Sequence, residues 1–239
     1  MEKTKTCRRG LKRLLAFLLS ALCLLGLLPM SAFAMEPGQT ASSWLGDQYV
    51  GSDGQHYYSP APYTYLVYNS DGTMDVRTSS GGSAYRHYML TVSDGTSHQV
   101  YCVESGIPYN TSDNTYTSES GTNSQYLNLL PAEARRGITL TAIYGWKPGA
   151  SLPVSGINED DYKMATQIIL WEYQQQLRSD PYSRHGNGHA SADQYYSVIA
   201  GRPAEKAYNW ILEQVASHST VPSFTSSSKD GAPELELKW

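Results

Sequence analysis

Residues Ile157 to Asp180 read INEDDYKMATQIILWEYQQQLRSD, a run without glycine or proline that stops before Pro181. Its centre, Met164–Trp171, is almost all apolar, with Gln167 inside it. Ile168 and Ile169 are β-branched, so a short buried strand is one reading. The uninterrupted length argues against it. Glu159, Asp160 and Asp161 also place negative charge where a helix N-terminus attracts it. The run therefore predicts a buried helix, and its neighbours in sequence decide what covers it.

The preceding half is written in short strands. From about Trp44 to Tyr116, β-forming runs alternate with Gly, Asp, Ser and Asn turns. Tyr63–Tyr68 and Thr73–Arg77 flank Asn69-Ser70-Asp71-Gly72, while His87–Val92 and Ser97–Glu104 flank Ser93-Asp94-Gly95-Thr96. Both pairs read as hairpins. Period-two alternation puts His98, Val100, Cys102 and Glu104 on one strand face. Residues 110–125 are polar and read as a loop.

After Leu130 the period changes. Pro131 suits the first position of a helix over Ala132–Tyr144, which stops at Gly145 and leads into Gly145-Trp146-Lys147-Pro148-Gly149. A short helix is expected from Ser191 to Ala200. A longer one has Pro203 near its start, with Ala207, Trp210, Ile211 and Val215 on one face. Leu235 and Leu237 alternate with charged residues up to Trp239 and read as a strand. The expected class is α+β, a strand-rich β-sandwich or barrel-like part with a segregated helical part.

Composition limits the function. At 40% hydrophobic and 17% charged, the 239-residue chain is neither a disordered tail nor a coiled coil. Of its 18 basic and 22 acidic residues, six basic and one acidic lie in 1–34, leaving 12 and 21 for the rest. So acidic a body is a poor partner for phosphate backbones, and no nucleic-acid partner is expected. The first 34 residues have the form of a secretory signal. Lys3, Lys5, Arg8, Arg9, Lys12 and Arg13 precede an apolar run from Leu14 to Leu28, which is followed by Ala32-Phe33-Ala34. Residues 1–34 are expected to be removed, and no membrane span is expected in the mature chain.

Cys7 and Cys23 lie in that leader, so Cys102 alone remains in the body. A single cysteine outside the cell closes no internal disulfide and is open to oxidation. It is inert packing, a bridge to another chain, a nucleophile or a covalently engaged group. As packing, it suits a strand entering a core beside Val100 and Val103. As a hydrolase nucleophile it needs a histidine in reach, and His98 on the same strand lies about 13 Å away at strand rise. Gln167 on an apolar helix must find hydrogen-bond partners or leave a costly buried amide. His185 and His189 do not form a metal pair, because Gly186 and Gly188 between them argue against a helix. No metal or cofactor is expected.

Taken together, Tyr101-Cys102-Val103-Glu104, then Ile143-Tyr144-Gly145-Trp146-Lys147-Pro148-Gly149, then Thr166-Gln167-Ile168-Ile169-Leu170-Trp171 resemble the Cys-Gln internal thioester domains of Gram-positive surface adhesins. The resemblance covers roughly Ala84 to Trp171 by motif. One departure is Ile169, where the family often has Ala two positions after the glutamine. The resemblance implies a thioester between Cys102 and Gln167, formed with loss of ammonia at the interface of the strand and helix parts. Gln167 supplies the acyl group and Cys102 the leaving thiolate. Supporting residues are Thr166 in the glutamine motif, Trp171 as a cover one turn on, and Tyr101 as packing. Glu104 either manages protons or is a solvated acid.

The implied function is covalent capture of a lysine amine on a host or surface protein. It occurs once per molecule, so it is not enzymatic turnover. The alternatives are a non-covalent extracellular binding module with an inert cysteine and a cysteine hydrolase. The adhesin domain is assigned to 35–220 of a secreted, cell-wall or cell-surface protein. Residues 221–239 are expected to be a strand or linker towards a following stalk domain.

Overall fold

The computed structural model describes residues 37–218, apart from 70, 81, 104, 106–114 and 120–124. The leader, the strand expected around Leu235 and Leu237, and Glu104 lie outside the described residues. The order is β1 (Thr40–Gln48), β2 (Thr64–Tyr68), β3 (Met74–Thr78), β4 (Arg86–Val92), β5 (Ser97–Val100), β6 (Thr115–Thr117), α1 (Gln125–Leu129), α2 (Ala132–Tyr144), α3 (Glu159–Gln174), β7 (Arg178–Asp180), β8 (Ser183–Arg184), α4 (Ala192–Tyr196) and α5 (Pro203–Ser217). Strands dominate the first half and helices the second, so the chain is α+β.

Both expected hairpins form. β2 pairs antiparallel with β3, with Leu66 opposite Val76, and β4 pairs with β5, with Met89 opposite Gln99. In each turn an aspartate accepts from the backbone two residues on, Asp71 from Thr73 and Asp94 from Thr96. The next residue is a glycine of positive φ, Gly72 at 84° and Gly95 at 85°. The main sheet is open and antiparallel in the order β5-β4-β1-β6, beside two-stranded sheets β2-β3 and β7-β8. No closed barrel is present among the described residues. Part of the stretch expected to be loop is ordered: Thr115–Thr117 form β6 against β1, and Gln125 begins α1.

α3 is the long run quoted above, and it is buried from Asp161 through Gln174. Asn158 and Asp161 close a capping box at its start, each side chain accepting from the other's backbone N–H at 2.9 and 2.8 Å. The same end grips the chain after β1. Asp160 accepts from Val50 N–H and Asp161 from Ser52 N–H, both at 3.0 Å. Arg202 binds Asp53 through two nitrogens at 3.0 and 3.1 Å and lies over the Tyr57 ring. Helices α2 and α5 both pack against α3.

The helix ends at Gln174, short of the expected Asp180. No proline or glycine stops it. Gln176 takes a left-handed φ of 55°, and the chain returns as β7. Arg178 is thereby brought onto the fully buried Glu172, Nε to Oε2 at 2.8 Å, with Tyr208 OH donating to the same carboxylate at 2.8 Å. Burial pushes the Glu172 carboxyl up, and the guanidinium beside it pulls the other way. A partner for an otherwise unpaired buried acid is a strong reason to turn early. Likewise, the helix expected over Ser191–Ala200 is helical only to Tyr196 and continues as turns.

Candidate functional site

β5 stops at Val100, so Cys102 follows the strand instead of lying within it. The reason lies across the seam. Gln167 Oε1 accepts from the Cys102 backbone N–H at 3.0 Å, and Gln167 Nε2 donates to the Cys102 carbonyl at 2.6 Å. The carboxamide thus occupies the place of a neighbouring strand's peptide and satisfies both backbone groups of Cys102. Gln167 is 1% exposed and Cys102 half-buried. The buried amide has the partners its apolar setting demands, and they belong to the cysteine.

This geometry suits acyl chemistry. Cys102 Sγ branches from the same Cα whose N–H and C=O hold the carboxamide. Attack of the sulfur on Gln167 Cδ places negative charge on Oε1, which already receives the Cys102 N–H. The departing nitrogen, Nε2, is the atom held by the Cys102 carbonyl.

A chain of hydrogen bonds fixes the pair from behind. Thr166 Oγ1 donates to Tyr162 O at 2.8 Å and accepts from Trp146 N–H at 3.0 Å. Tyr101 OH donates to Trp146 O at 2.9 Å. The path Gln167–Thr166–Trp146–Tyr101–Cys102 closes on itself through the carboxamide. The peptide of Trp146 thereby couples the helix carrying the glutamine to the strand end carrying the cysteine. Gly145 makes the close approach possible, because a Cβ there would lie 2.3 Å from the Thr166 methyl and 2.6 Å from Thr141 O.

Aromatic side chains line the other side. Trp171, one turn after Gln167, is 3% exposed, with ring centroids 5.4 Å from Tyr85 and 5.9 Å from Tyr195. Tyr195 in turn stacks edge-on against Tyr63 at 5.6 Å. Ser105 is fully buried and shares a 2.7 Å hydrogen bond with Tyr195 OH. Burial raises the phenols of Tyr63, Tyr85, Tyr88 and Tyr195. These phenols stay neutral at ordinary pH. They form a largely aromatic wall beside Cys102 and Gln167. Trp171 is buried against Tyr85 and Tyr195, while Tyr101 both packs and tethers.

The histidines nearest Cys102 in sequence have other partners: His98 meets Thr96, and His87 meets Gln99 and Asp160. Sequence reasoning missed Gln174 and Gln175. Gln174 Oε1 accepts from Ser105 N–H at 3.4 Å. Gln175, fully buried, holds the backbone N–H and C=O of Leu66 in β2 as Gln167 holds those of Cys102. The signal was available, since positions seven and eight after Gln167 return to about the same helix face.

A cysteine and a glutamine are thus bound face to face, at the seam between a strand part and a buried helix. Residues 99–217 match the family model of the thioester domain, and this part of the chain belongs to that family. No curated protein and no solved structure matches the chain.

Proposed function

We propose that Cys102 and Gln167 form an internal thioester and that the domain is an adhesin module of the Gram-positive surface type, which uses the bond to capture amines. The thiol adds to Gln167 Cδ, ammonia leaves, and the sulfur–carbonyl bond remains. A lysine amine on a host or surface protein then attacks the same carbon, expels the Cys102 thiolate and ends as an amide. Each molecule reacts once and is not an enzyme. The reading places the protein outside the cell, attached to the wall or surface after removal of residues 1–34.

The observation that carries this reading is the buried Gln167 carboxamide clamped to both backbone groups of Cys102. Intact mass tests it. The mature protein is expected one ammonia lighter than its sequence, and methylamine should add to Gln167 and release a titratable thiol. A mass equal to the sequence, with Cys102 open to alkylation in the native protein, overturns the reading.

A further inference from the structure

Lys163 stands one turn before Gln167 on the same helix face, where side chains four apart have Cβ atoms about 5–6 Å from each other. It is 7% exposed. Its Nζ lies 3.5 Å from Glu159 Oε2, 3.5 Å from Asp160 Oδ1 and 4.2 Å from the centre of the Trp146 ring. Asp160 is itself held by Val50 N–H at 3.0 Å and faces His87 at 3.2 Å. The two carboxylates lie towards the helix N-terminus, away from Gln167. The Trp146 peptide is the one that ties Thr166 to Tyr101.

The residue one turn before the acyl carbon that, on the reading above, waits for an amine therefore carries a primary amine of its own. An ammonium has no lone pair, and an ammonium gripped by two carboxylates and an indole face points away from the carbonyl. We propose that Lys163 is the domain's own competing nucleophile, and that Glu159, Asp160 and Trp146 restrain it so that the thioester survives until an outside amine arrives. The restrained reaction balances simply. The ammonium yields one proton to solvent, and Nζ attacks Gln167 Cδ. The Cδ–Sγ bond breaks, and the remaining displaced proton goes to the Cys102 sulfur. The product is a Lys163–Gln167 side-chain amide and a Cys102 thiol, with the same mass as the thioester form. Such a molecule is spent without ever meeting a partner.

The inference rests on the thioester reading, and the test separates the two. The wild type, Glu159→Gln, Glu159→Gln/Asp160→Asn and the latter with Lys163→Arg are incubated without added amine. Intact mass, native thiol titration, methylamine uptake and peptide mapping are followed, with circular dichroism to confirm folding. In the double variant methylamine uptake should be lost while the ammonia deficit persists, a thiol appears, and a peptide joining residues 163 and 167 is found. Glu159→Gln, at a largely exposed carboxylate, should show the same loss more slowly, and it decides the matter if Asp160→Asn does not fold. Adding Lys163→Arg, which keeps the charge but removes the acylable amine, should restore uptake to the wild-type level. Undiminished uptake in a folded carboxylate variant overturns the restraint and leaves the thioester standing. A wild type without the ammonia deficit overturns both.

Discussion

Gly145→Ala isolates the contact on which the site's positioning depends. The backbone at Gly145 is extended, φ −72° and ψ 177°, a conformation that alanine adopts freely. Any cost must come from contact. The added Cβ would lie 2.3 Å from Thr166 Cγ2, 2.6 Å from Thr141 O and 2.9 Å from Thr166 Oγ1. Thr141 O cannot yield without loosening the last turn of α2, because it accepts from Gly145 N–H at 2.7 Å. The loop must therefore move, and the Trp146 N–H to Thr166 bond goes with it. Overpacking of this kind costs about 1–3 kcal/mol, and a buried N–H left without its acceptor costs a similar amount. A loss of about 2–6 kcal/mol in a domain of this size lowers Tm by roughly 4–24 °C. Differential scanning fluorimetry reads that shift, and the ammonia deficit by mass reads the bond. We expect both to fall, the bond because Gln167 follows Thr166. Gly149→Ala is the control. Its φ of 76° costs alanine about 1–2 kcal/mol, but no atom lies within 4 Å of the added Cβ, so the deficit should remain complete. A Gly145→Ala protein with wild-type Tm and a full ammonia deficit would refute the reasoning.

Cys102→Ala and Gln167→Ala should each abolish covalent capture of methylamine, and the double variant should be no worse than either, as expected of groups that act as one unit. Their stabilities should differ: Gln167→Ala strands the Cys102 N–H and C=O and should cost about 1–3 kcal/mol more in urea unfolding than Cys102→Ala, which keeps both bonds. Ile169 is fully buried and, two residues beyond Gln167, points to the far side of the helix. Ile169→Ala should therefore cost about 2–5 kcal/mol yet retain the ammonia deficit, and loss of the deficit in a folded variant would show that Ile169 supports the bond. For pH, the Arg202 hydrogen bond holds the Asp53 carboxyl below its ordinary 3.8. A depressed acid contributes stability above its unfolded pKa and loses it as pH falls through the folded one. The urea midpoint should decline as pH drops below about 4, and less steeply in Arg202→Met, where equal slopes would count against the coupling.

What the sequence disclosed follows from how local each signal is. The two hairpins were legible because Asn69-Ser70-Asp71-Gly72 and Ser93-Asp94-Gly95-Thr96 carry turn chemistry within four residues. α5 was legible from Pro203 and its apolar stripe. The end of α3 was not, because Gln176 leaves the helix for the sake of Glu172 and Arg178, whose pairing is tertiary. The end of β5 was misplaced for a related reason: the partner that replaces strand pairing at Cys102 is a side chain 65 residues away. The motif residues Cys102, Thr166, Gln167 and Trp171 meet at one seam. The Trp146 peptide that joins them leaves no mark in residue type, since any residue offers the same N–H and C=O. Gly145 beside it read only as the stop of the preceding helix.

The bridge from Gln175 to Leu66 has a consequence once the domain is under load. On the proposed function, capture would remove Gln167 from Cys102 and tie it to a partner, so a pull on that partner would enter the domain along α3. At that moment the first clamp between helix and strands has been spent. The second, two turns further on, contains no sulfur and takes no part in the reaction, so it survives capture unchanged. Tension arriving through Gln167 then meets a helix still fastened to β2 at Leu66 and still anchored by Glu172 through Arg178 to Tyr208. On that function, the fastening that would hold the loaded domain together is distinct from the one that would arm it.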